Sequence, residues 1–525
     1  MLIFRFIASE PFRFNHNILV THFFPQEPSQ SGYPYLLPAK YNIFHHSSAM
    51  CMRVSFLCLV LLCAASLSAT QSFQASLASL KYTTSSTDKT VQLIEDVIAA
   101  SIRQKSTFTI FPEGLLWWYL PTKEAALAEA STHIAVTDGV PLSNPCSENS
   151  TNTDLITSMS CLASKHSHYI VVNLPTKTCE GESCYLWNAA YAFNVRGEIL
   201  ASYRKSNNYG SQPPYDAPTE FDVSVFTVNN IKFGLLICFD IEFKQPIKDL
   251  IAAEVDYVIM PMEWTNTYPI SWSIMYQQSF SYIYDTNLLV VNDGDNAYSW
   301  GSGAYSSGQV LAQTFSVNES SIDTLLLINI DKLSKKHKSL VPNAVAATVE
   351  RSVPEIDTYD CQFPMYGSGR CARISGNSGS LSISNGNATC HFRWNNAVNT
   401  NANSALVAVA HDFSMSTGST SPPTLHVLIC SMVVCVSDDN NFNTCQSSFK
   451  QFHVDSAAVT LLNEELLDSY QVMPMVADAA GMGIDINYMK TLQSDRLYEM
   501  QLNFPVDEMD NLSTICLKAV DQTTR

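Results

Sequence analysis

The segment Phe233-Gly234-Leu235-Leu236-Ile237-Cys238-Phe239-Asp240 places a thiol at the end of an apolar run. A short continuous apolar run is typical of a strand that is buried in a sheet. A side chain that follows such a strand is presented to a pocket by rigid backbone, which makes Cys238 a candidate nucleophile. A cysteine taken alone is more often half of a disulfide or an inert buried thiol, so this interpretation needs support from other residues.

Two charged residues also end apolar runs. Glu113 follows Phe108-Thr109-Ile110-Phe111-Pro112, and Lys205 follows Ile199-Leu200-Ala201-Ser202-Tyr203-Arg204 after a hairpin-like turn at Arg196-Gly197. A single Glu or Lys at a strand end is usually solvated. The three residues together, in the chain order Glu113, Lys205 and Cys238, form a candidate catalytic set.

These segments resemble the catalytic segments of the nitrilase (carbon-nitrogen hydrolase) superfamily. The run Cys238-Phe239-Asp240-Ile241-Glu242-Phe243 is similar to the Cys-Phe-Asp-Ile-x-Phe pattern of the vanin/biotinidase branch. A cysteine-rich insertion before Lys205 and a β-rich C-terminal part also match that branch. The resemblance covers roughly residues 72 to 525. It implies an αββα sandwich and hydrolysis of a linear carboxamide, a pantetheine-like or biotin-amide substrate.

The resemblance also implies a role for each residue. Cys238 is expected to be the nucleophile and to form a thioester intermediate. An unperturbed Cys has a pKa of about 8.5 and is mostly protonated at neutral pH, so Glu113 is expected to act as proton acceptor. Lys205 is expected to act as proton donor or to stabilise the oxyanion, together with the backbone N–H of Phe239. This chemistry requires no metal and no organic cofactor.

Three segments depart from the family pattern. Gln212 aligns with a second glutamate that supports the site in relatives, Glu263 places a charge where relatives have a small residue, and Tyr276-Gln277-Gln278 also differs. These departures leave open an alternative function, a catalytically impaired relative that acts as an extracellular binding protein. A structural disulfide-rich protein would require Cys238 to be paired. The sequence does not choose between pantetheine and biotin amides.

The apolar run from Val54 to Ala69 indicates a secretory signal peptide. It follows Met52-Arg53, ends in small residues and is shorter than the roughly 20 residues that a membrane span needs. A buried helix is the alternative. We therefore predict a signal peptide over residues 52–69, a non-structural upstream extension over 1–51, no stable membrane span, and secretion of the mature chain.

Secretion affects how the cysteines are interpreted. Of the fifteen cysteines in the chain, twelve lie after the predicted signal peptide, and most of them should pair in an oxidising compartment. Cys179 with Cys184 and Cys146 with Cys161 are candidate local pairs. If Cys238 is a reduced nucleophile, an odd cysteine must remain free or bridge two chains. Four glycosylation sequons accompany these cysteines, at Asn149, Asn318, Asn387 and Asn511.

The pattern of apolar segments predicts two domains in the 525-residue chain. Alternating strand-like and helix-like segments predict an α/β nitrilase-like domain over residues 70–349. Among its helices, one over 91–102 has Val91, Ile94, Ile98 and Ile102 on one face, and another spans 155–166. Strand-like runs after a Ser-, Asn- and Gly-rich stretch predict a smaller, mostly-β domain over 350–525.

Composition restricts the class of partner. Hydrophobic residues make up 46% of the chain and charged residues only 15%, which supplies ample core material and argues against global disorder. The net charge of −18 argues against a nucleic-acid partner and against an anionic lipid surface. The expected partner is a small-molecule amide substrate, and the sequence does not determine the oligomeric state.

Overall fold

The structure, a computed structural model, describes part of the chain. The described residues are 72–80, 86–116, 122–136, 143–148, 154–209, 215–266, 272–294, 301–314, 323–331, 358–363, 367–399, 404–416, 424–436, 452–463, 470–478, 489–494, 497–504 and 512–522. The predicted upstream extension and signal peptide lie outside these residues, as do Asn149, Gln212, Asn318 and Asn511. Residues Thr70–Arg525 form one compact unit.

Six α-helices and one short 3₁₀ turn occur among the described residues. The helices are α1 Thr87–Arg103, α2 Lys123–Glu129, α3 Pro145–Glu148, α4 Leu155–His166, α5 Ile247–Ala252 and α6 Ser273–Ile283, and the turn is Cys238–Glu242.

Side-chain caps fix where the two long N-terminal helices begin. Asp154 accepts a 2.9 Å hydrogen bond from Thr157 N at the start of α4, and this helix has the bounds that the sequence predicts. Helix α1 begins earlier than predicted, after the cap residue Ser86. The predicted apolar face of α1 is wrong at Ile102, which is 40% exposed in the last turn, and the buried face consists of Thr90, Ile94, Val97, Ile98 and Ser101.

Thirteen strands form two sheets in the first part of the chain. In the first sheet the order is β13-β1-β2-β4-β5-β6, with β3 paired to β4, and in the second it is β12-β11-β10-β9-β8-β7. Their bounds are β1 Phe73–Ser79, β2 Phe108–Ile110, β3 Ser131–Thr132, β4 Tyr169–Glu180, β5 Ser183–Phe193, β6 Ile199–Arg204, β7 Val225–Val228, β8 Ile231–Leu235, β9 Tyr257–Met262, β10 Asn287–Asn292, β11 Ser302–Ser306, β12 Gln309–Thr314 and β13 Thr324–Ile330.

The two sheets pack face to face between layers of helix. Phe108 of the first sheet lies edge-on to Phe233 of the second, with ring centroids 5.7 Å apart, in the apolar core that fills the space between the sheets. The outer face of the first sheet contacts α1 and α4, as Ile98 and Met159 show by packing with Ile170. Helix α6 packs on the second sheet. This is the αββα sandwich that the sequence predicts.

The C-terminal part contains strands and no helix among its described residues. One sheet has the order β14-β15-β19-β20-β26-β21-β18, with β23 paired to β26, and the other has the order β16-β17-β22-β25-β24. The bounds are β14 Thr358–Phe363, β15 Gly367–Arg373, β16 Gly379–Asn385, β17 Ala388–Asn395, β18 Val398–Asn399, β19 Ser404–Ser416, β20 Thr424–Val436, β21 Phe452–His453, β22 Ser456–Leu462, β23 Tyr470–Asp478, β24 Met489–Ser494, β25 Leu497–Asn503 and β26 Leu512–Asp521.

The larger C-terminal sheet is buried on both faces. In β20, Leu428 and Cys430 face the core between the two C-terminal sheets, whereas Val427 and Ile429 belong to the core that continues from the αββα sandwich. Burial on both faces explains why β20 is a continuous apolar run in the sequence. This confirms the predicted mostly-β C-terminal region, and the boundaries of the two domains remain a prediction.

Four disulfides join described cysteines. Cys146–Cys161 and Cys179–Cys184 are the two pairs that the sequence suggested, and the others are Cys361–Cys371 and Cys390–Cys430. Cys435 is also disulfide-bonded. The free cysteines among the described residues are Cys238 and Cys516, both buried. No helix in the described part of the chain is long and apolar enough to cross a membrane.

Candidate active site

Glu113 and Lys205 form a buried ion pair at one end of the sandwich. Lys205 Nζ lies 2.6 Å from Glu113 Oε1, and both residues are about 95% buried. Lys205 directly follows β6, as predicted. Glu113 is not the last residue of its strand, because β2 ends at Ile110 and Glu113 lies in the turn that follows. This turn brings the carboxylate to the neighbouring sheet, where Glu113 N donates to Met262 O at 3.3 Å.

Cys238 begins the 3₁₀ turn that follows β8. The apolar run predicted a strand that reaches Cys238, but β8 ends three residues earlier, at Leu235. Cys238 has a φ of +43°, a conformation that residues other than glycine rarely adopt and that is maintained only where the surroundings impose it. Its thiol is free and its side chain is only 4% exposed. The strained backbone lifts the thiol away from the strand and toward Glu113 and Lys205.

Asp240 is the residue that fixes the turn. Its Oδ2 accepts hydrogen bonds from Ile237 N at 3.1 Å and from the hydroxyl of Tyr203 at 2.8 Å. Its Oδ1 accepts from the backbone N of Asn207 at 2.9 Å and from the Asn207 side chain at 2.8 Å. Asp240 is fully buried, so four donors compensate one charge. These bonds link the Cys238 turn to the segment that carries Lys205.

The electrostatics of the site keep Lys205 charged. Burial by itself lowers the pKa of Lys205, but the Glu113 carboxylate, which accepts its hydrogen bond, and the Asp240 carboxylate outweigh that effect, and the net pKa lies above the ordinary value. The pKa of Asp240 is raised by its burial, against the opposing effect of Lys205 and of its hydrogen-bond donors. Lys205 is therefore a buried cation whose charge is compensated by the carboxylates of Glu113 and Asp240.

The same electrostatics keep the thiol of Cys238 protonated. Its pKa lies well above the ordinary value, first because the thiol is buried and second because the Glu113 carboxylate is close and hydrogen-bonded to it. Lys205 and the backbone N–H of Glu263 act in the opposite direction. A nucleophilic Cys238 therefore needs a base that takes its proton during attack, and Glu113 is in contact with it.

Two asparagines that the sequence analysis missed orient the carboxylate. Asn188 Nδ2 donates to Glu113 Oε1 at 2.7 Å, and Asn173 Nδ2 donates to Asn188 Oδ1 at 2.6 Å. Asn173 Oδ1 accepts from Gly114 N at 3.1 Å, which closes the network on the Glu113 turn. A signal existed in the sequence, because Asn173 and Asn188 are isolated amides within the buried strands β4 and β5. A buried amide needs partners.

The turn after Glu113 passes close to the second sheet. Gly114 has a φ of +77°, and a Cβ at this position would lie 2.6 Å from a carboxylate oxygen of Glu263. The backbone N of Glu263 donates to Glu113 Oε2 at 3.1 Å. Glu263, which the sequence analysis marked as a departure, thus lies at the edge of the site and contributes its backbone to it.

Aromatic rings line the site beside Cys238. The ring centroid of Phe239 lies 5.0 Å from that of Tyr209, which is 46% exposed, and 6.4 Å from that of Trp264. Burial is the main cause that raises the pKa of Tyr209, and the negative charge of Glu242 adds to it. These rings provide an apolar wall next to the thiol.

Comparisons with known proteins agree with this geometry. Residues 65–280 match the model of the carbon-nitrogen hydrolase family, a span that contains Glu113, Lys205 and Cys238. This part of the chain is therefore similar to the carbon-nitrogen hydrolase domain of the nitrilase superfamily. Within it, the curated relatives are pantetheinases and biotinidases, which confirms the vanin/biotinidase branch that the sequence indicated.

Two relatives and one solved structure illustrate the similarity. A pantetheinase of Bos taurus is 27% identical over 192 residues, or 35% of this chain and 37% of that protein. A biotinidase of Takifugu rubripes is 28% identical over 232 residues, or 41% of this chain and 45% of that protein. The crystal structure of an amidase from Nesterenkonia sp. has a TM-score of 0.39 and 19% identity, and it covers 50% of this chain and 90% of that one. The alignments thus span less than half the length of both curated relatives.

The departure at Tyr276-Gln277-Gln278 is structural in this carbon-nitrogen hydrolase domain. All three side chains are buried on α6. Gln277 Nε2 donates to Gly301 O at 2.8 Å, and Gln278 Nε2 donates to Gly308 O at 2.9 Å, so both amides hold the backbone around β11. Tyr276 instead contacts the C-terminal part.

Proposed function

We propose that this protein is an amidohydrolase that cleaves a linear carboxamide through a thioester on Cys238. The observation that supports the proposal most directly is the ion pair of Glu113 and Lys205 at 2.6 Å, buried beside a free thiol in a strained turn. A buried ion pair is costly to form unless further interactions compensate it. Strained backbone and perturbed pKa values cluster at functional sites.

The proposed reaction begins with proton transfer from Cys238 to Glu113. As Sγ attacks the amide carbon, the thiol proton passes to the Glu113 carboxylate, and the carbonyl π electrons move onto oxygen. The resulting oxyanion is stabilised by the Lys205 ammonium and by the backbone N–H of Phe239. When the C–N bond breaks, Glu113 returns its proton to the leaving amine, and the acyl group remains on sulfur as a thioester.

Hydrolysis of the thioester reverses the proton transfers. Glu113, ionised again, takes a proton from water as the water oxygen attacks the acyl carbon, and the new oxyanion receives the same stabilisation. The carbon–sulfur bond then breaks and the proton returns from Glu113 to the thiolate. The products are a carboxylic acid, an amine and the free enzyme, so that one water is consumed in each cycle.

The substrate class that we propose is a pantetheine-like or biotin amide. It is supported by the names of the curated relatives, pantetheinase and biotinidase. Secretion of the chain is part of the proposal, and the four described disulfides support it because disulfides persist in oxidising compartments. Asn387 lies exposed in the turn between β16 and β17, where a sugar would be accessible.

A panel of chromogenic amides tests the proposal. Protein secreted from a eukaryotic host is incubated with amides of pantothenate and of biotin, with Cys238→Ala as matched control. We expect release of the chromophore by the wild-type protein and none by the variant. If the wild-type protein is folded, has a reduced Cys238 and hydrolyses neither amide, the result would instead support the alternative function, an extracellular binding protein.

A further inference from the structure

Strand β23 and the residue that follows β26, both in the C-terminal part, hold the backbone at the end of the Cys238 turn. Gln471 Nε2 donates to Ile241 O at 2.7 Å, and Gln522 Nε2 donates to the carbonyl oxygen of Glu242 at 3.2 Å. Lys244 N donates to Gln522 Oε1 at 2.8 Å. Three hydrogen bonds therefore hold the backbone of Ile241, Glu242 and Lys244, although their partners lie more than 220 positions further along the chain.

A buried cation joins the same two parts. Lys518 Nζ of β26 donates both to Glu242 Oε1 and to the hydroxyl of Tyr276, and it lies 4.9 Å from the centre of the Tyr276 ring. Lys518 and Glu242 are only 3% and 2% exposed. The second carboxylate oxygen of Glu242 is buried without a hydrogen-bond partner. Compensation of the Glu242 charge therefore depends on Lys518.

The position of Glu242 connects this ion pair to the proposed nucleophile. Cys238 and Glu242 are the first and last residues of one five-residue 3₁₀ turn. Asp240 fixes the turn from within the hydrolase domain, and Lys518 fixes its far end from the C-terminal part. Because Cys238 has a φ of +43°, its backbone keeps that conformation only while both ends of the turn are held.

We propose that Lys518 is a positioning residue that holds the Cys238 turn in its reactive conformation. This inference rests on the proposed function, in which the Cys238 thiol is the nucleophile. Loss of the ammonium group leaves the Glu242 carboxylate buried and uncompensated, and the turn relaxes to bring that charge to water. A displacement of a nucleophile by about 1 Å costs on the order of a hundredfold in rate.

Lys518→Met tests the inference in the full secreted chain. The readouts are kcat and KM for the amide that the wild-type protein hydrolyses, and the rate of alkylation of Cys238 by iodoacetamide, followed by peptide mapping. We expect kcat to fall by about tenfold or more with KM within about twofold, and alkylation of Cys238 to slow by a similar factor. Lys518→Arg keeps the charge and should recover part of both rates.

Further measurements distinguish a positioning role of Lys518 from a general loss of structure in the Lys518→Met variant. Glu242→Met/Lys518→Met removes both charges, so it should react faster than Lys518→Met alone. Arg370→Met removes a partly exposed pair with Asp360 in the same C-terminal part and should leave both rates unchanged. Alkylation of Cys516, which lies in β26 two residues from Lys518, reports on opening of that strand.

The outcomes distinguish this inference from the proposed function. Unchanged kcat and unchanged alkylation of Cys238 in Lys518→Met would overturn it. A loss accompanied by faster alkylation of Cys516, and not reversed in the double variant, would show a structural role and would also overturn it. If the wild-type protein hydrolyses no amide, the proposed function fails, while the alkylation rate of Cys238 still decides whether Lys518 positions the turn.

Discussion

Asn188 donates a 2.7 Å hydrogen bond to Oε1 of Glu113, the same oxygen that lies 2.6 Å from Lys205 Nζ. Two donors thus occupy one oxygen of the carboxylate. The other oxygen, Oε2, accepts from the backbone N of Glu263 at 3.1 Å. This division leaves Oε2 as the oxygen with spare capacity to receive the proton of Cys238.

Replacing Asn188 should therefore lower the rate of the chemical step. In Asn188→Leu the carboxylate loses one of its orienting donors, and we expect kcat to fall about tenfold to a hundredfold with little change in KM. Steady-state kinetics on the hydrolysed amide measure this. Asn385→Ala removes a side-chain hydrogen bond to Ala410 O in the C-terminal part and serves as control. An unchanged kcat in Asn188→Leu would show that Asn188 does not orient the Glu113 carboxylate for the reaction.

Cys238, Glu113 and Lys205 should behave as one unit. Cys238→Ala should abolish hydrolysis, and Glu113→Gln and Lys205→Met should nearly do so, because each removes a partner that the others need. The double variant Cys238→Ala/Glu113→Gln should be scarcely slower than Cys238→Ala. Single-turnover assays on folded variants measure these rates. If the rate loss of the double variant equals the product of the losses of the two single variants, the two residues act independently and the prediction is wrong.

Asp240→Asn should destabilise the fold as well as the site. The carboxylate accepts from four donors, and an amide presents an NH₂ group to two of them, so buried donors are left unsatisfied. We expect the free energy of unfolding to fall by about 3 kcal/mol, measured by urea denaturation. Asp360→Asn changes an acid that is largely exposed and should cost little. Equal stability of the two variants would show that Asp240 does not hold the turn.

The buried imidazole of His168 should make stability fall in mild acid. Burial, and next the charge of nearby His166, lower its pKa from 6.5 to about 4, and its Nε2 lies 2.8 Å from Thr109 Oγ1. Between pH 6.5 and about 4, His168 is mostly protonated in the unfolded chain but mostly neutral in the folded chain. The free energy of unfolding therefore decreases as the pH falls through this range. The slope from one such group is at most about 1.4 kcal/mol per pH unit.

His168→Gln removes that contribution. Urea midpoints of the wild-type protein and of the variant are compared at several pH values between 7.5 and 4. We expect a shallower loss of stability in the variant, although His133 and His411, whose pKa values are also lowered to about 4 by burial, still contribute. Parallel curves would show that His168 is protonated equally in both states.

The disulfides should differ in their contribution to stability. Cys390–Cys430 links β17 of one C-terminal sheet to β20 of the other across 40 positions, whereas Cys179–Cys184 closes a hairpin across five. Chain entropy alone then favours the longer link by about 2 kcal/mol. We expect Cys390→Ala/Cys430→Ala to lower the thermal midpoint far more than Cys179→Ala/Cys184→Ala. Similar midpoints for the two double variants would contradict this.

Local sequence was sufficient to predict most of the elements and to select the residues that we propose carry the reaction. The apolar runs before Glu113, Lys205 and Cys238 predicted strands, because burial between two layers selects continuous apolar segments. Helix α4 was predicted with its observed bounds, Leu155–His166. The Cys-Phe-Asp run indicated the family. Strand ends were predicted less well, because Leu236 and Ile237 are apolar but already lie outside β8.

Only the tertiary structure decided which groups surround the proposed nucleophile. Asn188 contacts Glu113 across 75 positions and Lys518 contacts Glu242 across 276, and no local pattern encodes such pairs. Both depend on sheet register and on packing of the C-terminal strands against the sandwich, which local propensity does not specify. The sequence by itself determined that the chain is an αββα nitrilase-type protein with Glu, Lys and Cys in order. Long-range packing determined how tightly the turn that carries Cys238 is held.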